Sequence, residues 1–269
     1  MKLSFSTLGC PDWDYGTILK NAKALGYSAV SVRGIVRQND INKIPEFLPE
    51  NRADTLNRAA DVGVKLICIC TGCFFHTKER AEAGIKEGIN AVKIAADMGI
   101  PFVRVFGDTV PEDRETETLD MIADGIKAVC ESAEGTDVKV LLEVHGNVNT
   151  SERVLYIAER VNSKHFGIIF DIMHSDRSYG DDVKQFYDAV KHLICHTHIK
   201  DRVRETGALC GMGEGDIPAV KIINMLNADG YDGYFEFEWE KQWHPELTEP
   251  EIAFKDYVDY MKRNFPELH

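Results

Sequence analysis

No stretch of this 269-residue sequence approaches the roughly 18 consecutive apolar residues that a membrane-spanning helix needs, so no membrane partner is expected. Positive charge is scarce. The 31 Lys and Arg residues face 44 Asp and Glu, giving a formal net charge of −13, and a field of that sign repels a phosphate backbone. Nucleic acid is therefore not an expected partner. The seven cysteines are an odd number without the repeating spacings of a disulfide framework. The opening segment MKLSFSTLGC lacks the apolar run of a secretory signal. Both features lead to the expectation of a reduced, cytoplasmic chain. Cys68, Cys70 and Cys73 cluster without the second half that a zinc site would require, which makes them core residues with one loop thiol. No GxGxxG follows a strand, so an open dinucleotide-binding sheet is the weaker architecture. Long linkers and composition breaks are also missing, and one domain over residues 1–269 is expected.

What is present is a rhythm. Hydrophobic residues make up 44% and charged residues 28%, ample for a core. Short β-rich runs at 2–8, 29–32, 64–71, 102–106, 138–144, 166–171, 193–199 and 233–239 alternate with helical patterns. Asp14 caps the first helix, whose apolar face is Ile18, Leu19, Ala22 and Leu25. Further helices are read at 52–62, 78–98, 112–133, 151–161, 182–190, 218–229 and 251–265, several of them closed by a glycine. Eight βα units predict an α/β chain folded as a single (β/α)8 TIM barrel.

Active sites in such barrels form at the carboxyl ends of the strands, and four consecutive strand ends carry acids or histidines. Strand five ends LLEVHGN, with Glu143 and His145 two residues apart on one side. Strand six ends FGIIFDIMH, with Asp171 and then His174. Strand seven reads ICHTHIKD, placing His196 and His198 on one face, with Lys200 and Asp201 just beyond. Strand eight reads YFEFEWE, where Glu236, Glu238 and Glu240 share a face opposite Phe235, Phe237 and Trp239. A carboxylate inside an apolar strand is costly unless it is paired, hydrogen-bonded or bound to metal. Carboxylates converging with a histidine form a hard, oxygen-rich set that suits Mn2+ first, and also Mg2+, Zn2+, Co2+ or Fe2+.

Through LLEVHGN, FDIMH, HTHIKD, GEGDI and FEFEWE in order, the chain resembles the xylose isomerase-like TIM-barrel superfamily over essentially its whole length. Within it, the sugar phosphate isomerase/epimerase family, including tagatose and psicose 3-epimerases, is the nearest in pattern. The resemblance implies metal ligands at Glu143, Asp171, His198 and Glu238, with Glu236 or Glu240 as the other candidates for the last position. It implies that Glu143 and Glu238 act as the acid/base pair, and that His174 and Arg204 contact substrate. It implies a small polyhydroxylated substrate, and related barrels are often homo-oligomers.

A metal that chelates a ketone oxygen and its neighbouring hydroxyl favours loss of the intervening proton. Returning the proton to the other face epimerises, returning it to the adjacent carbon isomerises, and losing a β-hydroxyl dehydrates. LLEVHGN and FEFEWE also resemble 3-dehydroshikimate dehydratases of the same superfamily, which makes His145 a catalytic candidate or an orienting partner of Glu143. Arg104, ending strand four, is an anion candidate at the barrel mouth, and Lys200 is a substrate-binding candidate. The GMGEGD loop offers amides to a phosphate, although Glu214 and Asp216 oppose one. Trp13, Arg33, Phe74, Phe75, His76, Trp243 and His244 are candidates for the pocket wall. The rival of another class is an AP endonuclease-like DNA repair enzyme. It is disfavoured because the aspartate-x-histidine pair expected after strand seven reads Asp201-Arg202-Val203 here.

Overall fold

The computed structural model describes residues 1–266; residues 267–269, the end of the expected domain, lie outside them. The barrel strands are β1 (Lys2–Ser6), β2 (Ala29–Val32), β3 (Lys65–Phe74), β4 (Phe102–Phe106), β5 (Lys139–Glu143), β6 (Phe166–Asp171), β7 (Ile194–Ile199) and β10 (Tyr234–Phe237). They close in the order β1-β10-β7-β6-β5-β4-β3-β2. The helices are α1 (Tyr15–Leu25), α2 (Arg52–Val62), α3 (Lys78–Met98), α4 (Glu115–Glu131), α5 (Ser151–Val161), α6 (Ile172–Tyr179), α7 (Val183–Val190), α8 (Ala219–Ala228) and α9 (Pro250–Asn264). The expected (β/α)8 barrel is the observed architecture. Two compact units make up the chain, one of Met1–Ile67 with the segment from Thr197 onward, the other of Cys68–His196.

In the first unit, β1 pairs in parallel with β2 and β10, and β10 with β7. Asp14 caps α1 by accepting the Thr17 amide, and Gly26 ends that helix in the left-handed region at φ +85°. Aromatic side chains of β10 and its neighbour β1 pack on α9. Phe237 stacks on Tyr257 at 4.7 Å between ring centroids, and Phe5 stacks on Phe254 at 4.3 Å. β1 stops at Ser6 rather than continuing to residue 8, because the Ser6 hydroxyl accepts the Leu8 amide and starts a 3-10 turn over Thr7–Gly9.

In the second unit, β3, β4, β5 and β6 are consecutive parallel neighbours. Two elements escaped the sequence pattern. Helix α6 begins directly at the end of β6 because one oxygen of Asp171 accepts the Met173 and His174 amides, both at 2.9 Å. In the first unit, β8 (Asp201–Arg202) and β9 (Leu209–Cys210) form a short antiparallel hairpin after β7. Cys68 and Cys70 are buried, with their sulfurs 3.8 Å apart, as core residues.

Candidate metal centre

Glu143 is the last residue of β5 and is 1% exposed. Its Oε2 lies 2.7 Å from Nη1 of Arg104, whose Nη2 donates to the Thr71 carbonyl at 2.9 Å. Arg104 is itself buried and lies 4.0 Å over the Phe106 ring, so its cation is spent within the protein. Asp171 ends β6, fully buried, with Oδ1 committed to the start of α6.

His198 on β7 and Glu236 on β10 are register partners. Glu238 follows one residue after the end of β10, and its Oε1 lies 3.2 Å from Nδ1 of His198. Its Oε2 accepts from Lys200 at 2.5 Å, and the same ammonium reaches Glu240 at 2.8 Å. Lys200 is 1% exposed and bridges these two glutamates. Glu236 instead accepts from the hydroxyls of Ser4 and Ser31.

Glu143 and Asp171 end neighbouring strands in one unit, His198 lies beside Glu238 in the other, and all four residues are buried. Buried carboxylates are costly in a low dielectric unless cations or hydrogen-bond donors offset their charge. Each of the three carboxylates has one oxygen fixed by a protein donor: Arg104 for Glu143, backbone amides for Asp171, and Lys200 for Glu238. Such a donor set fits a divalent cation.

Beside His145 and His174, both candidates from the sequence, stands Asp108, which the sequence did not single out. Nδ1 of His145 lies 2.9 Å from Oδ1 of Asp108, and the His145 ring packs 4.1 Å from that of His174 and 4.9 Å from Phe106. The hydrogen bond from His145 holds the Asp108 carboxyl below the ordinary aspartate range. Asp108 occupies the left-handed region at φ +62°, where its carbonyl also accepts the Asn147 amide at 2.7 Å. The signal in the sequence was the FGD that ends strand four. Nearby His76 has its pKa lowered by burial.

The residues match the description "Xylose isomerase-like TIM barrel" over 19–263. The chain belongs to the xylose isomerase-like TIM-barrel family. Among curated members it is 26% identical to an uncharacterized protein of Methanocaldococcus jannaschii over 66% of this chain and 63% of that one. It is 25% identical to an inosose dehydratase of Geobacillus thermodenitrificans over 52% of each. Matches to these relatives thus span half to under two thirds of their length. In structure, a probable 3-DHS dehydratase of Bacillus anthracis superposes at TM-score 0.81 and 17% identity, covering 97% of this chain and 99% of that one. A D-tagatose 3-epimerase-like protein gives 0.78 and 19% over all of both chains. A zinc-bound IolI protein gives 0.74 and 20%, covering 98% and 99%.

The other expected site residues of this xylose isomerase-like chain fall as follows. His174 is buried beside His145, and its carbonyl accepts from Asn149 at 3.1 Å. Arg204 lies in the hairpin turn, half-buried, with its backbone amide on Asp216. The GMGEGD amides do not form an open anion cradle. The amides of Gly213 and Gly215, and that of Ile217 just after the segment, donate to the buried carboxylate of Asp201, and that of Gly211 donates to Glu214. Phe75 is wholly buried against Gly84 and Gly125, so it is core and not pocket wall.

Proposed function

We propose that this chain is a divalent-metal-dependent isomerase or epimerase that removes the proton beside the carbonyl of a small polyhydroxylated substrate. The observation that carries the reading is that the buried strand-end residues Glu143 and Asp171 of one unit, and His198 and Glu238 of the other, are an acid-rich set with one oxygen of each carboxylate already fixed by a protein donor. These four residues would hold the cation, with Mn2+ the first choice for so oxygen-rich a set. When bound, the cation supplies Lewis-acid stabilisation of charge developing on the substrate oxygen. Glu143 and Glu238 are the proton-transfer pair, and Arg104 and Lys200 orient them by holding one oxygen of each. Because Asp201 takes up the loop amides, an unphosphorylated polyol fits this reading better than a sugar phosphate.

A second reading, dehydration, is favoured by the Asp108–His145 pair. Asp108 fixes the proton on Nδ1 and leaves Nε2 of His145 as a base outside the ligand set, which suits one-sided proton removal followed by loss of a β-hydroxyl. Relatives whose names include inosose dehydratase and probable 3-DHS dehydratase lend it weight.

The test is proton NMR in D2O with Mn2+ against ketohexoses, their phosphates, inosose and 3-dehydroshikimate. Deuterium entering a ketose beside its carbonyl supports the first reading, and loss of water moves the chain to the second. No exchange with any of these, from protein loaded with Mn2+, would overturn both.

A further inference from the structure

Strands β3 and β4 keep register at Cys68–Phe102, Ile69–Val103 and Cys70–Arg104, and next meet at Phe74–Phe106. Four steps along β3 thus match two along β4, so Thr71, Gly72 and Cys73 stand opposite Val105 alone. The extra residues make a bulge, which breaks the ladder locally and re-aims groups beside it. Glycine at its centre suits a strand that bends.

The bulge turns two groups toward Arg104 and the ring beside it. The Thr71 carbonyl accepts from Nη2 at 2.9 Å, while the Thr71 hydroxyl donates to the Arg104 carbonyl at 2.6 Å. Phe74 lies nearly parallel to Phe106, at 10° and 4.9 Å between centroids, and the guanidinium stands 4.0 Å over the Phe106 ring. A planar cation seated on a ring and tied at Nη2 is restrained in its own plane, which aims Nη1 at Oε2 of Glu143, 2.7 Å away.

Helix α3 holds the bulge. A Cβ added at Gly84 would lie 2.8 Å from the Phe74 carbonyl, so the helix and the strand end approach as closely as glycine allows. Glu87, three residues on and therefore on the same helix face, accepts the Gly72 amide on Oε1 at 2.9 Å.

We propose that Glu87 is a positioning residue. By holding the Gly72 amide it sets the bulge, and through Thr71 and Phe74 the bulge fixes the Arg104 guanidinium on Glu143. The use of that alignment in proton transfer rests on the reading above, in which Glu143 is one of the pair. The rival role for Glu87 is a surface acid that steadies the strand end and acts no further.

The test is NMR of the Arg104 guanidinium in metal-free protein, its lines assigned by their loss in Arg104→Lys. A guanidinium held at both Nη groups turns slowly and gives separate Nη–H lines, whereas a loose one gives an averaged line. Wild type should give separate lines. Glu87→Ala, which keeps a good helix former in α3, should average them and speed exchange of the Gly72 amide on the order of tenfold. Glu87→Gln retains the accepting oxygen and should restore the separate lines, and circular dichroism establishes that the variants fold. Averaged lines in wild type or in Glu87→Gln, separate lines in folded Glu87→Ala, or unaltered Gly72 exchange in that variant would each overturn the assignment. One equivalent of Mn2+ judges the metal reading apart from this. Held at Glu143, the paramagnetic ion should broaden the wild-type Arg104 lines; lines that stay sharp would strike the metal reading and leave the positioning of Arg104 as measured.

Discussion

Arg104→Met removes the guanidinium that lies 2.7 Å from Glu143 in a pair exposed by only 3% and 1%. Methionine keeps much of the apolar stem, so the loss is chiefly the charge pairing and the bond to the Thr71 carbonyl. Removing one partner of a buried ion pair costs about 3–5 kcal/mol, because the other charge remains buried without compensation. At about 2 °C per kcal/mol for a chain of this size, the metal-free variant should melt about 6–10 °C below wild type. The deficit should depend on metal. A Glu143 carboxylate deprived of its guanidinium gains more from a cation, so Mn2+ should raise the melting point of the variant by more than that of wild type. For scale, a ligand at 100 times its Kd contributes about 2.7 kcal/mol. Scanning calorimetry with and without Mn2+ measures both quantities. A metal-free variant within about 2 °C of wild type, or equal Mn2+ shifts in the two proteins, would refute the charge argument.

Asp108→Asn tests the pair with His145 through pH. The folded-state pKa of Asp108 is depressed, first by the His145 hydrogen bond, so its contribution is present above the ordinary aspartate value of about 3.9 and is lost as pH falls through the folded value. Urea melts should show wild type more stable at neutral pH, with the gap closing in acid; an unchanged gap well below that value would contradict it. Gly215→Ala places a Cβ 2.3 Å from Asp201 Oδ1 and 2.4 Å from the Arg202 carbonyl, a clash expected to cost about 1–3 kcal/mol. Hydrogen exchange at Gly213 and Ile217, whose amides bind Asp201, should then accelerate; unaltered protection would show that the carboxylate does not anchor the loop. Thr150→Ala removes the side-chain acceptor for the Arg153 amide at the start of α5 and should cost about 1 kcal/mol in denaturant melts.

The barrel was readable because its signals are local and repeated. Apolar runs such as FVRVF and FGIIF coincide with β4 and most of β6, and the glycines after α1, α2 and α3 mark their ends. Glu143, Asp171, His198 and Glu238 were legible as buried polar residues at strand ends, since an acid or histidine after an apolar run stands out. What stayed hidden depended on geometry that pattern does not carry. Asp171 looks like a strand-end acid, yet one of its oxygens starts α6, so the helix began where a loop was expected. Asp108 escaped because its role follows from a left-handed backbone that turns its carboxylate to His145. Lys200 and Arg104 read as cations for a substrate, and only the folded chain reveals that Glu238, Glu240 and Glu143 already engage them. The glycine loop offered amides in the sequence that Asp201 takes up in the structure.

Equilibrium dialysis against Mn2+, wild type beside Glu238→Gln, tests the metal-centre proposal most directly. The account predicts one bound equivalent in wild type, lost in the folded variant. No bound metal in wild type after reconstitution would contradict it and leave the barrel without its proposed chemistry.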